Sequence, residues 1–173
     1  MTDHSSNDTW PLTAYQRDLM GVASRHPDLP LVQQSAYSHL DTAVDAERMA
    51  ECVRMVFVRN DAPRLRIGLI DGEFRQWLTD ESAELEVQDF SADVDPTGAA
   101  MAFMEAANRD ALSADTAMFR FAVLIDSADS FFLYARVHHT VADAWAINLI
   151  VGQVITDYES SVPADQLAEY RMP

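Results

Sequence analysis

The stretch Phe131-Phe132-Leu133-Tyr134-Ala135-Arg136-Val137-His138-His139-Thr140-Val141-Ala142-Asp143-Ala144-Trp145 decides the fold. Its first half is a nearly unbroken apolar and aromatic run, the composition of a strand buried on both faces. The run ends in two histidines, passes through a short turn, and meets an aspartate that opens a segment of helical period. Ile147, Ile150, Val151 and Val154 fall on one stripe, which predicts a helix over 143–158. Successive strand side chains point to opposite faces, so His138 and His139 cannot share one role. His139 lies with Ala135 and Val137, and His138 with Tyr134 and Arg136. Asp143 is placed to cap the helix or to accept a hydrogen bond that fixes the turn.

Outward from this stretch, residues 118–126 form the partner strand of 130–137, joined through Ser127-Ala128-Asp129. Upstream, Thr13-Ala14-Tyr15-Gln16 has the spacing of a capping box, and the helix it opens should stop before His26-Pro27. A strand is expected over Val32 to Leu40. Val44, Met49, Cys52, Val53, Val56 and Phe57 fall largely on one stripe and predict an amphipathic helix over 45–59. The period then changes to two: Leu65, Ile67 and Leu69 alternate with Arg64, Arg66 and Gly68, and Asp71-Gly72 turns the chain into a second strand at 73–78. A short strand at 84–89 follows, then Asp95-Pro96 opens a helix through Met101, Met104 and Ala107. This order predicts an α+β domain, a mixed β-sheet covered by helices. Residues 1–9 read as a disordered tail.

Composition narrows the function classes. The 173 residues are 49% hydrophobic and 23% charged, enough for one core and too apolar for disorder. No apolar run approaches the about 20 residues that span a bilayer, and the polar start is no secretory signal. A cytoplasmic protein is expected. The net charge of −16 disfavours nucleic acid and anionic membranes, which demand clustered cations. The single cysteine, Cys52, excludes a disulfide framework and, set among apolar residues, reads as a core thiol. No Gly-rich turn follows a strand, so phosphate-cradling and dinucleotide-binding readings fail. No G-x-S-x-G elbow supports a serine triad, and neither the adjacent histidines nor the scattered His26 and His39 have metal-ligand spacing. From the residues alone, His138 and His139 are either packed at a strand end or catalytic.

His138-His139-Thr140-Val141-Ala142-Asp143-Ala144 resembles the His-His-x-x-x-Asp-Gly signature of nonribosomal peptide synthetase condensation domains and their chloramphenicol-acetyltransferase-like relatives. Thr13-Ala14-Tyr15-Gln16-Arg17 is similar to the opening Ser-x-Ala-Gln-x-Arg motif, with altered spacing. Arg59-Asn60-Asp61-Ala62-Pro63-Arg64 resembles Arg-His-Glu-x-Leu-Arg and keeps both arginines. Asp115 and Met118-Phe119-Arg120 resemble the segment leading into the strand before the histidines. The resemblance covers about residues 10–160 and departs from the family at Ala144, where the motif has a glycine that would tolerate positive φ.

The resemblance implies one chloramphenicol-acetyltransferase-like lobe, the N-terminal one, of a two-lobe condensation domain, with 161–173 as the beginning of the crossover to a C-terminal lobe. It implies amide formation between an acyl or peptidyl donor and an aminoacyl acceptor, both carried on the phosphopantetheine arms of carrier proteins, with no cofactor bound directly. His139 takes the catalytic position, either as general base or as the group that orients the amine and steadies the tetrahedral intermediate. His138, Asp143 and Ala144 are structural members of the motif, and Arg59 and Arg64 are the arginines expected to hold Asp143. The partners implied are the other lobe and the donor and acceptor carriers. A phosphopantetheine carrier is itself anionic, so docking on this acidic chain would rest on apolar contacts and local basic residues. The lobe alone is expected to be inactive, and a homo-oligomer is the alternative way to complete the channel. Two other readings stay open: a coenzyme A-dependent acyltransferase, and an idle lobe that only binds carrier proteins.

Overall fold

In the computed structural model, which describes residues 9–81 and 85–160, one strand organises the rest. This is β7, Ser130–His138, which lies between β2, Gln33–Leu40, and β6, Phe119–Ser127, antiparallel to both. Ala135 faces Ala36 on one side and Phe121 on the other. One face carries Phe131, Leu133, Ala135 and Val137 against α2, Ala46–Arg59, and α4, Ala144–Glu159. The other carries Phe132 and Tyr134 against Ala100 and Met104 of α3, Pro96–Arg109. Burial on both faces is why the strand reads as a continuous apolar run rather than an alternating one.

The expected single sheet is two. The larger has the order β2-β7-β6-β5, where β5, Leu85–Asp89, runs parallel to β6 and reaches it by a crossover through α3. The smaller is antiparallel, β1-β4-β3, from Trp10–Pro11, Glu73–Leu78 and Leu65–Ile70. Its hairpin turns at Asp71 and Gly72, with φ of 53° and 82°, the left-handed pair that a two-residue turn of this hand needs. Thr9, assigned to the tail by the sequence, is buried, and its hydroxyl and carbonyl accept from Arg75 at 3.3 and 3.1 Å. The remainder of that tail, 1–8, and the expected crossover 161–173 lie outside the described residues.

The helix α1, Ala14–Arg25, begins with the expected capping box: the Gln16 N–H donates to the Thr13 hydroxyl and the Thr13 N–H to the Gln16 side chain. Helices α2 and α4 are joined by charge as well as by apolar contact. Asp157 is fully buried on the apolar stripe of α4 and forms an ion pair with Arg59 at the end of α2. Arg48 donates to the carbonyls of Asp157, Tyr158 and Ser160 at 2.9, 3.0 and 2.6 Å, satisfying the last turn of α4. Cys52 is buried between them, and desolvation pushes its thiol up to about 11, which leaves it inert.

A buried carboxylate is tolerated only while its cation is present. Asp157→Ala is expected to destabilise the fold by about 3–5 kcal/mol in urea unfolding, and replacing Asp157 and Arg59 together with Leu and Met to cost less than the single change. A double replacement that costs the sum of the two single changes would show that the pair is not coupled.

Candidate active site

Where β7 ends, backbone bonds fix both histidines. The His138 N–H donates to the Met118 carbonyl at 2.9 Å and the His139 N–H to the Val32 carbonyl at 2.7 Å. Their side chains diverge as the pleat requires. His138 is 1% exposed, and burial, aided by His139 beside it, pushes it down to about 4, so it is neutral. Its Nδ1 lies 2.7 Å from the Thr140 hydroxyl and accepts the Thr140 backbone N–H at 3.4 Å. A backbone N–H can only donate, so the proton of His138 is on Nε2. A cleft of about 380 Å³, walled by Met20, Ile67, Phe74, Leu112 and Ala114, reaches His138.

His139 is held the other way round. Its Nδ1 is 3.0 Å from the Ala142 carbonyl, which can only accept, so Nδ1 carries a proton and, in the neutral ring, Nε2 keeps its lone pair. The Tyr15 hydroxyl is 3.2 Å from that Nε2, with the phenol ring edge-on to the imidazole at 5.9 Å between centroids. In their neutral forms the two neighbouring imidazoles are thus held in opposite tautomers. Only His139, half-buried, presents a basic nitrogen to an exposed side chain.

The turn between strand and helix is tied to α1. The Gln16 amide donates to the Thr140 carbonyl at 3.3 Å and to the Gln76 side chain at 2.9 Å, while its oxygen serves the capping box. The opening motif therefore supports the histidine motif directly. The capping spacing made Gln16 visible in the sequence, but its contact across 124 positions had no local signal. The same holds for Tyr15.

The cap expected of Asp143 is present, and the expected arginines lie elsewhere. Asp143 is exposed, and its carboxylate accepts the Ala146 N–H at 2.8 Å as the N-cap of α4. Among the described residues no arginine is paired with it: Arg59 is paired with Asp157, and Arg64 with Asp61 at 2.6 Å. A short polar side chain at a helix start finds its partner locally, and both arginines are taken up by nearer carboxylates. Ala144 is the first residue of α4, and among the described non-glycine residues only Asp71 has positive φ. Alanine in place of the motif glycine therefore causes no backbone strain. Among the described residues no group of His, Cys, Asp or Glu is arranged to hold a metal ion, and no helix is long and apolar enough to cross a membrane.

Residues 6–173 match the family model described as condensation domain. This chain belongs to the condensation-domain family. Condensation domains of solved structure share its fold: the starter condensation domain of rhizomide synthetase RzmA matches with a TM-score of 0.83 at 25% identity, over 87% of this chain and 38% of that one. The first condensation domain of the CDA synthetase matches with a TM-score of 0.79 at 18% identity, over 89% and 40%. Among curated relatives, the isonitrile lipopeptide synthase of Streptomyces coeruleorubidus is 28% identical over 94% of this chain, and enterobactin synthase component F of Shigella flexneri 33% identical over 86%. This condensation-domain chain spans 11% and 12% of their lengths.

Two expectations follow from the motif. Asp143→Ala is expected to lower stability by about 1 kcal/mol, the loss of an N-cap, rather than the about 3–5 kcal/mol of a broken buried pair; chemical denaturation distinguishes them. His138, neutral in the fold, binds its proton more readily when unfolded, so its contribution is intact above pH about 6.5 and is lost as pH falls toward about 4, up to about 3 kcal/mol in all. His138→Gln should flatten the acid limb of stability against pH in that window.

Proposed function

We propose that this chain is the lobe that positions His139 for amide formation in nonribosomal peptide synthesis. The donor is an acyl or peptidyl thioester and the acceptor an aminoacyl thioester, both presented on phosphopantetheine by carrier proteins. The observation that carries the reading is the Ala142 carbonyl on Nδ1 of His139, which leaves Nε2 as the acceptor. The amine nitrogen attacks the thioester carbonyl while Nε2 accepts an N–H and orients the lone pair of the amine. As the carbon–nitrogen bond forms, the nitrogen gives up its proton to Nε2. The tetrahedral intermediate expels the donor's thiolate, and the imidazolium returns the proton to that sulfur. His138, neutral and buried, supports the turn without entering the reaction.

The second wall of the channel would come from the remaining lobe of the domain, since this chain spans 38–40% of the two solved domains described above. Trp145 and Leu149, one turn apart on α4 and 74% and 54% exposed, supply apolar surface beside the motif for such a partner. A mutant of the starter condensation domain of RzmA is known in complex with C8-CoA, so a coenzyme A-linked acyl donor is the second reading to test.

In a protein that joins this chain to the second lobe, His139→Ala is expected to reduce single-turnover transfer by about 10²–10⁴-fold with little change in melting temperature. Carrier-bound and coenzyme A-bound acyl donors offered in parallel decide between the two donor readings. Near-normal transfer by His139→Ala with either donor would overturn the assignment, and no transfer by the unaltered two-lobe protein would favour an idle, carrier-binding lobe.

A further inference from the structure

The Tyr15 hydroxyl occupies the position that the proposed reaction reserves for the acceptor. In the neutral ring Nε2 of His139 has one lone pair, and the phenol oxygen lies 3.2 Å from it, within donating distance. The bond is not required to orient the imidazole, because Nδ1 is already fixed by the Ala142 carbonyl at 3.0 Å. Nor is Tyr15 there because the fold had to bury it: the residue is 55% exposed. It is nevertheless well placed, on the first turn of α1, behind the Thr13 cap and beside Gln16, whose amide holds the Thr140 carbonyl. The helix that carries the phenol is thus tied to the turn that carries the imidazole.

We propose that Tyr15 is a competitive cap on the acceptor position: its hydroxyl holds Nε2 of His139 before the acceptor arrives, and the amine binds by displacing it. This inference rests on the condensation reading. A lone pair can serve one strong donor at a time, so the amine N–H and the phenol O–H compete. The displaced hydroxyl stays within reach, held by its helix, and restores the cap when product leaves. Tyr15 therefore sets how strongly an acceptor must bind, and donor binding is independent of it.

Tyr15→Phe keeps the edge-on ring and removes only the competing O–H. On the chain as it stands, nitrogen NMR of the histidine rings is expected to show the Nε2 resonance of His139 moving toward the position of an unbonded lone-pair nitrogen in the variant. In the protein joined to its second lobe, steady-state kinetics with an aminoacyl N-acetylcysteamine thioester should give an acceptor KM lower by about two- to tenfold, the range of one neutral hydrogen bond, with donor KM unchanged. An unmoved Nε2 resonance overturns the inference whatever the activity. A raised or unchanged acceptor KM, or a fall in kcat alone, overturns it too and makes the hydroxyl a structural or catalytic donor. If the wild-type protein forms no amide with any donor, the condensation reading fails and takes the inference with it, even where the resonance moves.

Discussion

Because β7 is hydrogen-bonded along both edges and covered on both faces, its register cannot slip, and that immobility is what gives the histidine pair a meaning. A one-residue shift would exchange the faces of every side chain on the strand. Here it would move Phe131, Leu133, Ala135 and Val137 out of the α2–α4 core and into the smaller α3 core. The pairing of Gln33 with His138 and of Phe119 with Val137 carries the constraint to the last residue of the strand. Beyond it, the N–H groups of His138 and His139 are still held, by Met118 and Val32. One imidazole must therefore enter the interior and its neighbour must face the motif turn.

Elements whose side chains carry a period, or whose turns need special residues, were legible in the sequence. The stripe from Met49 to Phe57 located α2, and Asp71-Gly72 located the β3–β4 hairpin. What was not legible was set by distant pairing. Nothing in Leu85–Asp89 announces that it will lie parallel to β6, or that β1, β3 and β4 will leave the main sheet. The arginines were misassigned for a related reason. Asp157 follows Val154 on the apolar stripe of α4, and a carboxylate in such a position demands a buried cation. That demand takes Arg59, and Asp143, which finds an N–H three residues on, makes none. A break in the stripe was the signal available for Asp157. The contacts of Tyr15 and Gln16 with the motif had no counterpart signal.

The polar groups near the motif follow one rule: each has its partner within the fold, so that the one basic nitrogen facing outward is Nε2 of His139. His138 is satisfied by Thr140, Thr140 by Gln16, and Gln16 by Thr13 and Gln76. A chain of bonds of this kind is rigid because releasing any member leaves a buried group unpaired. It also separates two tasks that the motif joins in sequence. The first histidine completes the interior network, and the second is left half-buried beside the exposed Tyr15.

The spacing within the motif follows from the same geometry. Nδ1 of His139 reaches the carbonyl of Ala142, so the chain must fold back over Thr140 and Val141 to bring that oxygen under the ring. The Val141 N–H donates to the His138 carbonyl at 3.1 Å and closes this turn. The next residue is then the last before α4, and its side chain accepts the Ala146 N–H at 2.8 Å. An aspartate three residues beyond the turn's opening threonine is thus a consequence of closing the tautomer-fixing bond and starting the helix without a spare residue between them. One residue fewer would remove the carbonyl from Nδ1, and one more would leave a first-turn N–H of α4 without its cap. Alanine follows the aspartate at no conformational cost, because that position is already helical. The glycine of the family signature is therefore dispensable here, whereas the interval between His139 and Asp143 is not.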